Sequence, residues 1–401
     1  MDSGLQEALR AFLASEDCAF HNDDVGQCHP TGPAALLTGS STGELISRLR
    51  SDEFSTLREY VLLPSAKTPR WIVPLGNVGC TSSGLDMYMP YAPGAQTAKQ
   101  LLLAVARTGW SGWARHRVVI ASRKPLPIES LVSEITGERH PAFALSLGTP
   151  GRFRKATVRV MNHEGRVVGY IKLPMTAEAV ARVRHETTAL DYLATFSSLR
   201  AHIPRVLFAG KWGKRYILFQ SPGPSRAVPA EFAPVQQMFL QNLRGVDGVH
   251  RQGNSLVEEV GARWQKTEEG FDSRWRALGR TVLMTASREL GNLHIRCGIT
   301  HGDFAPWNSR ISEDGLFVFD WESAERQTPY LWDVFHFEVQ VASLLHGTKH
   351  PHRVFDRDSG ERALYLLYLL KSACQAFDET QVANHPAIVY RFRALTEELC
   401  A

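Results

Sequence analysis

The sequence predicts an α+β fold: a five-stranded antiparallel sheet, a mainly helical region after it, and a smaller α+β segment in front. Three observations lead there. Residues 142–220 break into short apolar runs separated by Gly and Pro turns, and 155–161 alternates apolar and polar residues at period two. Beyond residue 230, apolar positions recur at helical spacing over 232–243, 273–296, 364–377 and 386–399. Between those helices, residues 299–322 combine a loop, two short apolar strands and an Asp-Gly turn, the pattern of a hairpin.

The front segment, residues 1–135, opens with a helix whose Leu5, Leu9, Phe12 and Leu13 share one face. A loop rich in Asp, Gly, His and Pro follows, to Pro33. Its His21, Cys28 and His29 lack the fourth ligand and paired spacing of a metal site. Ser41 or Thr42 caps a short helix ending near Arg50. Residues 58–64 and 71–75 form a hairpin, with Arg58, Lys67 and Arg70 as candidates for an anion and solvated cations as the plainer reading. Residues 76–84 read as loop, 97–107 as helix, 118–121 as strand and 128–135 as helix. No catalytic motif stands out here.

Residues 140–221 read as strand 142–147, the turn Gly148-Thr149-Pro150-Gly151-Arg152, strand 155–161, a turn at Glu164-Gly165, and strand 167–173 carrying Lys172. A helix over 177–196 follows, then strands at 206–209 and 215–220. Ser221-Pro222-Gly223-Pro224 breaks the chain. Residues 222–401 are mainly helical, with 245–253 as loop and Leu278, Val282, Leu283, Leu290 and Leu293 as the buried face of a helix over 273–296. A helix opens at about Tyr330, and 346–357 is a polar loop.

Chemistry concentrates in residues 299–322. His301, Gly302, Asp303 and Asn308 form one polar cluster, and Asp320, Trp321 and Glu322 a second, at the end of the apolar run 316–319. A hairpin turning at Glu313-Asp314-Gly315 brings its ends together, so Asp303, Asn308 and Asp320 converge. Two carboxylates and an amide oxygen at one point suit a hard cation such as Mg²⁺, which takes oxygen ligands and keeps phosphate oxygens among them. Phosphoryl transfer needs such a metal and a carboxylate beside the attacking hydroxyl. The residues therefore point to a Mg²⁺–nucleotide site, with Asp303 as base and Asn308 and Asp320 as metal ligands.

His301-Gly302-Asp303-Phe304 with Asn308, followed by Asp320-Trp321-Glu322, resembles the catalytic and metal loops of the aminoglycoside phosphotransferase and choline kinase group. That group has the two-lobed protein-kinase-like fold. The resemblance covers residues 140–401 and implies an N-lobe over 140–221 and a helical C-lobe over 222–401. It implies that His301 is structural, that Glu322 holds a second metal directly or through water, and that Asp333 braces the catalytic loop. A helix cap is an equal reading of Asp333. It also implies that Lys172 contacts the nucleotide phosphates and pairs with Glu186, with Glu178 as the alternative carboxylate. Gly148 and Gly151 would let backbone approach the phosphates, Thr149 and Arg152 are turn residues or phosphate contacts, and Gln220 lines the adenine slot.

The implied activity is transfer of the γ-phosphoryl group of ATP to a small-molecule hydroxyl (an aminoglycoside, amino alcohol or sugar). Two rivals stand beside it. A catalytically silent pseudokinase or scaffold would bind nucleotide without turnover. A protein kinase would carry Arg-Asp where Gly302-Asp303 stands, and Phe-Gly where Trp321-Glu322 stands.

Composition narrows the partners. Lys plus Arg exceeds Asp plus Glu by four, 45 against 41, which predicts no attraction to nucleic acid. No run approaches the roughly 18–20 apolar residues of a membrane span, and the acidic start is not a secretory signal. Six scattered cysteines, Cys18, Cys28, Cys80, Cys297, Cys374 and Cys400, read as free thiols of a cytoplasmic protein. A protein partner is assigned, if anywhere, to residues 1–135.

Overall fold

The structure is a computed structural model that describes residues 3–14, 19–21, 34–38, 56–90, 93–345 and 359–400. Cys18, Cys28, His29, the helix expected to end near Arg50 and the loop 346–357 lie outside the described residues. The chain forms two compact units. One comprises Met1–Thr187 with Pro204–Pro222, the other Thr188–Ile203 with Gly223–Ala401.

The first unit is built on ten strands: β1 (Ala19–His21), β2 (Ala34–Thr38), β3 (Thr56–Leu63), β4 (Trp71–Pro74), β5 (Arg117–Ser122), β6 (Ala142–Leu147), β7 (Lys155–Met161), β8 (Val167–Pro174), β9 (Val206–Trp212) and β10 (Arg215–Gln220). They lie in one sheet in the order β1-β2-β5-β3-β4-β6-β7-β8-β10-β9. Among the described residues, only β1 and β2 pair in parallel. The half β6-β7-β8-β10-β9 is the expected five-stranded antiparallel sheet. The half before it belongs to the front segment, and the join is β4 on β6, with Trp71 opposite Ser146 and Ile72 opposite Leu145. The described strands of residues 1–135 thus share a sheet and a compact unit with the strands that follow.

Alternation explains the sheet's buried face. On β7, Ala156, Val158 and Val160 are buried while Thr157 and Arg159 are half-exposed. Helix α1 (Ser3–Leu13) adds Leu5, Leu9, Phe12 and Leu13 to the same core, with Phe12 set edge-on to Phe143 at 5.3 Å between centroids.

Residues 76–84, expected as loop, hold helix α2 (Val78–Leu85). Its small residues carry no apolar period. Asn77 caps it, its Oδ1 accepting the Cys80 N–H at 2.9 Å, and the Thr81 hydroxyl donates to the Pro74 carbonyl at 2.7 Å. A side chain at Gly84 would press on Val73, so a close helix–strand contact demands small residues there. Helices α3 (Pro93–Arg107) and α4 (Pro127–Thr136) complete the front segment, and α5 (Ala177–Leu193) follows β8.

The second unit is helical with two small three-stranded sheets, β11-β14-β15 and β12-β13-β16. Its elements are β11 (Arg226–Ala227), α6 (Pro234–Arg244), β12 (Val249–Gln252), α7 (Gly253–Thr267), α8 (Ser273–Leu290), β13 (His294–Thr300), β14 (Ser309–Ser312), β15 (Gly315–Val318), β16 (Glu325–Pro329), α9 (Leu331–Leu344), α10 (Ser359–Thr380) and α11 (Pro386–Cys400). Trp264, Val282, Leu290, Phe335, Val339, Leu366 and Leu370 centre its core.

Two expectations change here. The helix expected to run to 296 ends at Leu290, and residues 294–300 are a strand between β12 and β16. Pairing partners far away in sequence override the local helical spacing, and Leu293 is left exposed. The expected loop 245–253 supplies β12, the edge partner of that strand.

Candidate active site

Strand β13 delivers His301 to the site, and the hairpin β14–β15 returns the chain to Asp320. Ser309 faces Val318 and Ser312 faces Gly315 across the hairpin, leaving Glu313 and Asp314 as the two-residue turn. The two polar clusters are then stitched together by backbone. The Phe319 N–H donates to the Asn308 carbonyl at 3.0 Å. The fully buried His301 ring donates from Nε2 to the Phe319 carbonyl at 3.0 Å, while its Nδ1 accepts the Asp303 N–H at 3.2 Å. Both ring nitrogens are therefore used on backbone, as a structural histidine requires.

Gly302 sits at φ 76°, and a side chain there would collide with the Ser323 carbonyl. The position needs glycine for conformation and for space. Asp320 also takes the left-handed region, at φ 71° and ψ 52°. Asp tolerates that region better than most residues, and such backbone strain concentrates at functional sites.

Both oxygens of the Asp303 carboxylate are held. Its Oδ2 accepts Asn308 Nδ2 at 2.8 Å, and the same Nδ2 donates to the Asp303 carbonyl at 2.9 Å. Its Oδ1 lies 2.9 Å from His336 Nε2, and His336 Nδ1 lies 3.0 Å from the Tyr368 hydroxyl. His336 and Tyr368 were not among the residues expected at the site. They lie on α9 and α10, and no motif marks them. The only signal was the position of His336, one turn beyond Asp333 on the same helix face.

Asp333 is buried on the first turn of α9. Its Oδ2 accepts the His301 N–H at 2.8 Å and its Oδ1 the Gly302 N–H at 3.0 Å. It braces the loop rather than capping its own helix. Burial pushes its carboxyl above the ordinary value, against the opposing hydrogen bonds from the His301 and Gly302 N–H groups.

Glu322 lies in the short helical turn Trp321–Ser323, half-buried. The buried Trp321 donates from Nε1 to the Val318 carbonyl at 3.0 Å and packs on the His301 ring at 4.6 Å. Glu325 is spent on Lys371 at 2.9 Å.

In the first unit, Lys172 on β8 meets Glu186 on α5. Its Nζ lies 2.6 and 2.5 Å from the two carboxylate oxygens, with Lys172 4 % exposed and Glu186 0 %. The alternative carboxylate, Glu178, instead pairs with Arg152 at 3.2 Å on the surface. Gly148 donates its N–H to the Lys155 carbonyl at 2.9 Å, which closes the turn between β6 and β7. Gly151, at φ 150°, faces open space. Thr149 accepts Arg70 at 3.3 Å, and Arg58 is engaged by Glu129 at 3.0 Å. Gln220 ends β10, buried, and its Oε1 meets no donor among the described residues.

No family model matches the chain, and no curated protein matches it. Among solved structures, the chain is similar to a thermostable mutant of aminoglycoside phosphotransferase APH(4)-Ia, with a TM-score of 0.47 at 13% identity over 68% of this chain and 98% of that one. It is similar to a mutant of aminoglycoside 2'-phosphotransferase-IIIa in complex with GDP, with a TM-score of 0.43 at 13% identity over 69% and 98%. A third is ADP-bound aminoglycoside phosphotransferase APH(2'')-Ib, with a TM-score of 0.41 at 12% identity over 69% and 97%.

Proposed function

We propose that this protein is a phosphotransferase that moves the γ-phosphoryl group of ATP to a hydroxyl of a small molecule such as an aminoglycoside, amino alcohol or sugar. The observation that carries the reading is the Asp303 carboxylate, held at both oxygens beside Asn308, on a loop stitched to the one that bears Asp320.

In this reading Asp303 takes the proton of the acceptor hydroxyl as its oxygen bonds to the γ-phosphorus. The bond from that phosphorus to the β-phosphate bridging oxygen breaks, and ADP leaves. Lys172, oriented by Glu186, contacts the nucleotide phosphates. Gly148 and Gly151 let the β6–β7 backbone approach the phosphates, and Gln220 borders the adenine.

The donor set fits Mg²⁺. Asn308 uses Nδ2 on Asp303, which leaves its Oδ1 as an oxygen donor, and Asp320 and Glu322 contribute carboxylates. When bound, the metal neutralises charge developing on the phosphate oxygens. His301 and Asp333 set the loop and exchange no proton with substrate.

The test is thermal melting of wild type and Asp320→Ala with ATP, with and without Mg²⁺, followed by transfer assays from γ-labelled ATP. Ligand at about 100 times its Kd adds roughly 2.7 kcal/mol to the folded state. A Mg²⁺-dependent rise in Tm lost in Asp320→Ala, with label passing to an acceptor, supports the reading. Nucleotide binding with no turnover would replace it with a silent scaffold.

A further inference from the structure

We propose that His336, with its tautomer set by Tyr368, is a positioning residue for Asp303; the inference rests on the reading of Asp303 as the base. Helix α9 grips the catalytic loop at two points on one face. Asp333 holds the backbone of His301 and Gly302. One turn further on, His336 reaches the Asp303 side chain at 2.9 Å. The first grip fixes where the loop lies and the second fixes how its carboxylate faces.

The proton positions follow from the chemistry of the partners. An ionised carboxylate only accepts, so His336 Nε2 carries a hydrogen and donates it to Asp303 Oδ1. At the other ring nitrogen stands a phenol that burial holds in its protonated form. With the Tyr368 hydroxyl donating to Nδ1, the ring takes its Nε2–H form. Asn308 binds only Oδ2, which leaves the carboxylate plane free to turn about that contact. The second donor at Oδ1 removes the freedom. His336 and Tyr368 are both buried, at 8 % and 4 % exposure, so water does not replace either bond at low cost. Catalytic groups need placement to about 0.5 Å, and a donor that fixes a carboxylate's plane supplies it.

The experiment uses the full chain with His336→Leu, His336→Gln and Tyr368→Phe. Transfer of γ-label from Mg-ATP is measured to water and to a panel of aminoglycosides, amino alcohols and sugars. Imidazole nitrogen shifts are recorded in parallel, a readout independent of turnover. His336→Leu lowers kcat by about 10–100-fold with KM for ATP changed less than about threefold. His336→Gln, which restores an N–H donor, recovers part of that loss. Tyr368→Phe gives a smaller loss and a mixed tautomer. Wild-type spectra show the neutral Nε2–H form.

Turnover of His336→Leu at the wild-type rate, or a rise in KM with kcat intact, overturns the inference while leaving the phosphotransferase reading in place. A wild-type Nδ1–H tautomer does the same. An inactive wild type overturns both. Should His336→Leu fail to fold, Tyr368→Phe and the wild-type spectrum decide the matter.

Discussion

Asp333 holds the turn into the catalytic loop by two backbone N–H groups at once, His301 at 2.8 Å and Gly302 at 3.0 Å. The His301 donor is buried and the Gly302 donor partly so, and a side chain with one acceptor leaves one of them unmet. Asp333→Asn is expected to cost about 1–3 kcal/mol of stability, by the desolvation of an unsatisfied N–H. Urea unfolding measures it. An unchanged midpoint would mean that Asp333 does not brace the loop.

The Lys172–Glu186 pair is buried at both ends. Glu186→Ala strands an ammonium group and is expected to cost about 3–5 kcal/mol. The double variant Lys172→Met with Glu186→Leu removes both charges and is expected to melt near wild type, since a packed apolar pair replaces a buried ion pair at little cost. That double variant is also expected to lose phosphoryl transfer. Melting curves and label transfer on the three proteins separate the pair's role in stability from its role in binding phosphate.

Gly302→Ala is expected to lose about 2 kcal/mol or more, because the position combines a left-handed backbone, φ 76°, with the Ser323 carbonyl in the path of a side chain. Gly137→Ala serves as the contrast, since Gly137 has nearly the same left-handed φ, 77°, but open space around it, and is expected to cost less. Equal losses in the two would refute the steric argument at Gly302.

Asp303→Asn keeps the shape and the Asn308 neighbourhood but removes the base. Transfer is expected to fall about 10²–10⁴-fold with the Kd for Mg-ATP largely unchanged. Calorimetry and single-turnover assays on the same preparation check both halves. Retained turnover would move the base elsewhere.

Thiol reactivity is expected to divide the described cysteines. Cys400 is exposed, while Cys80, Cys297 and Cys374 are buried. Burial pushes the thiols of Cys297 and Cys374 up to about 11. At pH 8 roughly one in a thousand of each is thiolate, the reactive form. Because the folded values lie above those of the unfolded chain, these groups favour folding fully below about pH 8.5. That contribution fades as pH rises through the folded values. Peptide mapping after alkylation of native protein is expected to find Cys400 labelled first, with Cys297 and Cys374 following only on alkalinisation or unfolding.

Much of this protein was legible in its sequence. Local rules sufficed for the strands of residues 142–220, because period-two burial and Gly turns act within a few residues. They sufficed for the hairpin that returns Asp320 towards Asp303, because the Asp314-Gly315 turn signal acts within a few residues and the chain turns at Glu313 and Asp314. Spacing and order single out Asp303, Asn308, Asp320 and Lys172 as candidates. What tertiary structure alone decided depends on partners distant in the chain. Residues 294–300 pair with β12 and β16 and so become strand where helical spacing suggested helix. Ile72 and Leu145 join the front segment to the next five strands in one sheet, a pairing that no local pattern encodes. Glu186 rather than Glu178 receives Lys172, because the direction in which α5 faces β8 is set by packing. His336 reaches Asp303 across a gap of 33 positions, and Tyr368 reaches His336 across a further 32. A buried histidine and tyrosine on apolar helices carry no mark of their partner until the fold brings the carboxylate to them.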